Sequence, residues 1–119
     1  MSCLTSIKLC AVTDQTIRFR VTWEKKAASD TLAGLDLSIE FVDIHDLDTV
    51  VYELKSTDLI TDPSRIEIID ANERIFDIII EKSINLVVQN LIGDLIVTDT
   101  ATSECVPAFR ICLNITKGT

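Results

Sequence analysis

The four cysteines have more chemistry to offer than any other residues of this chain. They form two pairs, Cys3/Cys10 and Cys105/Cys112, one near each terminus. Zinc sites usually leave roughly two to four residues between paired cysteines, and both gaps here are longer, so the spacing does not make a metal site. Side-chain parity says more. Cys10 shares parity with Lys8, against Ile7 and Leu9, and Cys112 shares it with Arg110 and Asn114. Both thiols therefore face away from a core. There they would meet another subunit, or each other if the terminal strands are neighbours. Cys3 and Cys105 read instead as small buried hydrophobes. A cytoplasm keeps such thiols reduced, whereas release to an oxidising exterior allows cross-linking.

His45 is the sole histidine, so any Ser-His-Asp or Cys-His centre would have to use it. It sits beside Asp46 and Asp48 in a polar segment with the composition of a turn, which reads as a solvated turn histidine. Asp43, Asp46 and Asp48 lie close together but lack the ordered ligands and the glycine of an EF-hand loop. Asp14, Asp62, Asp70 and Asp99 read as turn formers, because aspartate bonds its own backbone in turns. Gly34, Gly93 and Gly118 stand alone and build no phosphate-cradling loop. No catalytic, cofactor-binding or metal-binding residue is expected, and no cofactor.

The elements that must position these groups are strands. From Ile17 every second residue is apolar (Ile17, Phe19, Val21, Trp23), with Arg18, Arg20, Thr22 and Glu24 between. The pattern returns at Leu35, Leu37, Ile39, Phe41 and at Phe109, Ile111, Leu113, Ile115. A period of two gives each strand one dry face and one wet face. Strands are expected at Leu4–Cys10, Thr16–Lys25, Leu35–Asp43, Val50–Lys55, Arg65–Asp70, Ile75–Glu81, Asp94–Thr98 and Val106–Thr116. Turns fall between them, including a hairpin turn at His45-Asp46-Leu47-Asp48. One stretch changes period. Ile84, Val87, Val88 and Leu91 fit a helical stripe, started by Ser83 or Asn85 and ended at Gly93, which predicts one short helix or helical turn near 82–91. The expected fold is all-β: an immunoglobulin-like β-sandwich of seven to eight strands in a single domain, 1–119, with 1–10 as an extended N-terminal strand or arm.

Bulk properties agree with one soluble domain. Apolar residues make up 47% of 119, enough for a core without a metal or disulfide framework. No signal-peptide pattern and no apolar run long enough to cross a bilayer is present, so folding in a cytoplasm is expected, with no membrane partner. The net charge is −8, and the basic residues form no stripe. A nucleic-acid partner needs clustered Lys and Arg to release counterions, so it is disfavoured. The acidity either keeps strand edges soluble or complements a basic protein surface.

The order of these pieces resembles a small β-sandwich module of tailed-bacteriophage virion proteins, and is similar to the N-terminal module of phage upper-baseplate proteins. An alternating strand with a Trp, Ile17–Trp23, is followed by a polar loop, Glu24–Asp30. Leu32-Ala33-Gly34 then turns into Leu35–Phe41. Later come Arg74–Glu81, Lys82–Leu91, and Ile92-Gly93-Asp94-Leu95-Ile96-Val97, and the chain closes with Phe109–Thr116. Gly93 stands where that family carries an aromatic. The resemblance implies a non-enzymatic structural or adaptor protein of a virion tail, baseplate or neck, assembled in the host bacterial cytoplasm. Its partners would be other virion proteins and copies of itself. Capsid decoration is the close alternative. A carbohydrate- or receptor-binding module is the alternative of another class, and it would need exposed aromatics.

Overall fold

The computed structural model describes residues 5–24, 31–57, 64–82, 84–85 and 87–117. Eight strands follow one another: β1 Thr5–Val12, β2 Ile17–Thr22, β3 Leu35–Asp43, β4 Asp46–Lys55, β5 Ser64–Asp70, β6 Ile75–Ile80, β7 Gln89–Asp99 and β8 Cys105–Thr116. They form two sheets, ordered β1-β8-β7-β3-β4 and β2-β6-β5. The run β8-β7-β3-β4 facing β2-β6-β5 is the arrangement of immunoglobulin-like sandwiches. β1 adds to the edge of β8 in parallel, and the other pairings are antiparallel.

The period of two builds the core directly. Leu37, Ile39 and Phe41 of β3 point inward, with Leu95 of β7 and Ile111, Leu113 and Ile115 of β8. Ile17 of β2 and Phe76, Ile78 and Ile80 of β6 meet them from the smaller sheet. Each such side chain, fully buried, contributes roughly 1.5–3 kcal/mol. Gly93 lies in the middle of β7, paired with Ile111. A Cβ there would come within 2.8 Å of the Glu40 carbonyl oxygen and of Ile39, and 3.1 Å from the Phe41 ring. Only glycine lets β3 and β7 approach this closely with Phe41 in place.

No helix occurs among the described residues, which corrects the helical reading near 82–91. A buried helical stripe needs Val87 and Val88 inside, yet they are 60% and 57% exposed. Leu91 is buried as part of β7. Gly93, expected to end the helix, is inside that strand. Asn85, expected near a helix start, is fully buried and donates from Nδ2 to the carbonyls of Val12 and Gln15, at 2.7 and 2.8 Å. Its backbone carbonyl accepts the Asp14 N–H at 2.8 Å. One amide thus staples the β6–β7 crossover to the β1–β2 turn. Backbone satisfaction, not an amphipathic stripe, determines the local shape. Ser83 lies outside the described residues.

Other turns follow their side chains. Asp14, Arg74 and Ser103 take positive φ, at 62°, 57° and 62°. Asp70 Oδ1 accepts the Glu73 N–H in the β5–β6 turn, and Asp99 Oδ1 accepts the Ala101 N–H in the β7–β8 turn. The β3–β4 turn is Ile44-His45, so β4 starts at Asp46 and the expected turn at 45–48 is mostly strand.

Candidate functional site

The broad outer face of the five-stranded sheet carries the wet residues of five strands. Asp94 of β7 pairs with Arg110 of β8, and Arg110 Nε donates to Asp94 Oδ1 at 2.8 Å. That bond holds the Arg110 guanidinium above its ordinary pKa. On β4, Lys55 Nζ lies 2.8 Å from Glu53 Oε1. Glu53 sits directly opposite Glu40 of β3, a like-charge cross-strand pair. Between these charges the face is hollowed into an open depression of about 630 Å³. Val42, Leu47, Ile92 and Ile96 supply its apolar lining, and Glu40, Glu53, Lys55, Asp94 and Arg110 its charge. Such a depression suits a docked side chain better than an enclosed small molecule.

The thiols share this face. Cys10 is opposite Asn114, and Cys112 is opposite Lys8. The two cysteines are therefore diagonal neighbours on adjacent strands. With strands about 4.8 Å apart and a rise of about 3.3 Å per residue, their Cα atoms are about 8 Å apart, beyond the reach of a disulfide without backbone movement. Both thiols are free here, Cys10 exposed and Cys112 partly so. Cys105 is exposed rather than buried, and its physical cause is a bulge. Leu95 pairs with Phe109 but Ile96 pairs with Pro107, so Ala108 is the extra residue on β8. The bulge reverses parity, sets Cys105 opposite Thr98 and turns it outward. Strict alternation through β8 could not reveal that. Cys3 lies outside the described residues.

The outer face of the smaller sheet holds a second cluster, and parity alone concealed it. Asp77 of β6 points outward yet is 1% exposed. Arg18 Nε donates to its Oδ2 at 2.8 Å and Arg20 Nε to its Oδ1 at 2.9 Å. Arg18 Nη2 also reaches Glu67 at 2.9 Å. The bond from Arg20 pulls the Asp77 carboxyl below its ordinary pKa; burial opposes this, and Arg18 reinforces it. Arg20 is raised in return, chiefly by the same bond. Arg65 and Ile79 are cross-strand partners beside this cluster and are both buried. Long arginine stems cover apolar surface while their heads stay wet. The visible signal was Asp77 itself, a charge inside an otherwise apolar strand, Ile75–Ile80.

The remaining candidates are structural. His45 is an exposed turn residue whose N–H donates to Asp43 Oδ1 at 2.8 Å. Asp46 accepts from the Asp48 N–H and the Thr49 hydroxyl, so these carboxylates shape the hairpin. Among the described residues no group of three His, Cys, Asp or Glu side chains is placed to hold a metal ion. Trp23 packs edge-on against Phe109, with ring centroids 5.9 Å apart, and the Arg74 guanidinium lies 3.7 Å above its ring. Tyr52 is buried and donates to the Ile84 carbonyl at 3.0 Å. Burial raises its phenol pKa, partly offset by the bond from Gln89.

No family model and no curated protein matches the chain. Among solved structures, it resembles one from a site-directed photo-crosslinking study of multimeric cell-adhesive interactions of VGSC beta subunits, with a TM-score of 0.52 and 11% identity. The match covers 99% of this chain and 98% of that one, a likeness of fold across the whole sandwich.

Proposed function

We propose that this chain is a non-enzymatic structural or adaptor protein of a bacteriophage virion, in the tail, baseplate or neck. It acts through protein–protein contacts in a symmetric assembly, with other virion proteins and copies of itself as partners. It is assembled in the host bacterial cytoplasm. The observation that carries this reading is the open hollow on the five-stranded sheet, where Glu40 and Glu53 face each other among Val42, Leu47, Ile92 and Ile96. Apolar area ringed by charge is the make-up of a protein interface. The resemblance of strand order to phage sandwich modules supplies the virion context. Capsid decoration rests on the same contacts and differs only in where the chain sits.

A receptor- or adhesion-type binding module is the second reading. It is favoured by the likeness to a structure studied for multimeric cell-adhesive interactions. Sugar stacking has less support, since all six aromatic residues are buried or partly buried. Density-purified particles separate the readings. The chain should appear in them by mass spectrometry at a fixed copy ratio, with antibody labelling on the tail assembly by electron microscopy. Labelling over the shell would favour decoration. Absence from particles, together with host-surface binding by the isolated chain, would establish the second reading instead.

A further inference from the structure

Two features on opposite faces carry charge with bonding capacity to spare. On the smaller sheet, Asp77 and Glu67 hold Arg18 and Arg20 upright through their Nε and Nη2 atoms. The side chains remain 47% and 58% exposed, and their Nη1 groups make no bond among the described residues. These are pre-positioned guanidiniums with donors to spare. On the larger sheet, Lys55 holds Glu53 and Arg110 holds Asp94, whereas the Glu40 side chain has no hydrogen bond or ion pair among the described residues. A cation arriving from outside would pair with that carboxylate inside an apolar rim.

We propose that copies of this chain dock head to tail, with the Arg18–Arg20 face of one copy seated in the Glu40 hollow of the next. This rests on the reading of the hollow as a protein interface. A duplicate of the same face offers its spare groups no unengaged charge of opposite sign. The hollow's own cations, Lys55 and Arg110, are already held by Glu53 and Asp94, and the carboxylates of the arginine face, Asp77 and Glu67, by Arg18 and Arg20. At a net charge of −8, copies repel in most orientations, and this one brings opposite charges together. Ile69, 41% exposed on the smaller sheet, adds apolar area to meet Leu47, which is 65% exposed at the hollow. A contact between different faces leaves one donor face and one acceptor face free. It therefore propagates to a ring if the rotation closes and to a filament if it does not.

Analytical ultracentrifugation of the intact chain tests this across concentrations up to roughly 1 mM at low and high salt, since exposed ion pairs are screened by salt. The wild type should grow beyond a dimer, and less so in high salt. Glu40→Arg should weaken association at least tenfold. Arg20→Gln, which leaves Arg18 on Asp77, should weaken it to a similar degree. Glu40→Arg added to wild type should shorten the assemblies, because it donates but cannot accept. A melting curve for each variant verifies folding. A monomeric wild type, growth that stops at dimers, or single variants that assemble like wild type would overturn head-to-tail docking. The presence of the chain in purified particles is a separate readout, so failure here leaves the virion reading standing.

Discussion

Asp77 is a single carboxylate on which two arginines and a sheet face depend. Its pKa is depressed in the folded chain, so its stabilising contribution is present above the ordinary aspartate range, near pH 3.9. That contribution is lost as pH falls from there through the depressed folded value. Asp77→Asn should therefore lower stability at neutral pH by about 2 kcal/mol, as expected for lost hydrogen bonds to charged groups. It should also flatten the acid limb of a urea-midpoint titration between pH 5 and 2. An unchanged acid limb would mean that Asp77 is not linked to folding. Gly93 makes the opposite demand, because there the absence of a side chain matters. Gly93→Ala pushes a Cβ into the Glu40 carbonyl and Phe41, and should cost about 1–3 kcal/mol, read as a lower denaturant midpoint. The parity of β7 places Gly93 on the inner face, but the closeness of β3 was not visible in the sequence.

At the scale of elements, the sequence pattern of alternation and turn residues located all eight strands, and Leu35–Asp43 was placed to the residue. It failed where the backbone departs from ideal repetition. The crossover before β7 mimics a helix by composition, yet Asn85 ties it to a distant turn through two backbone carbonyls, and such long-range bonds leave no local periodicity. The short strand expected at Asp94–Thr98 is really Gln89–Asp99, because Gly93 and Asn90 hid its first half. The bulge at Ala108 reversed the reading of Cys105. Thiol-reactive labelling measures that reversal. In the native chain Cys105 and Cys10 should react within minutes and Cys112 more slowly, with peptide mapping to separate them. A protected Cys105 would show that β8 runs without the bulge.

At the scale of the whole molecule, the chemistry of the described residues lies on two broad faces. Sequence alternation did anticipate which faces are wet. It did not show that the wet faces differ, one a hollow whose Glu40 carboxylate has no partner among the described residues and the other a pair of half-exposed arginines. That difference depends on register between strands far apart in the chain, such as Arg20 with Asp77 and Glu40 with Glu53. Assembly on these faces would leave the core untouched, so interface variants such as Glu40→Arg should melt as the wild type does.

The parallel partnership of β1 and β8 has a mechanical consequence. Thr5 lies beside Phe109 and Val12 beside Thr116, so the start of β1 and the end of β8 sit at opposite ends of one ladder. At about 3.3 Å per residue they are roughly 23 Å apart along the strand direction. Tension applied through the segments flanking these strands would load the ladder lengthwise, straining its hydrogen bonds together rather than one after another. A sandwich tethered this way resists shear with its whole edge, and its lifetime under load is set by the rate of unfolding and not by its equilibrium stability.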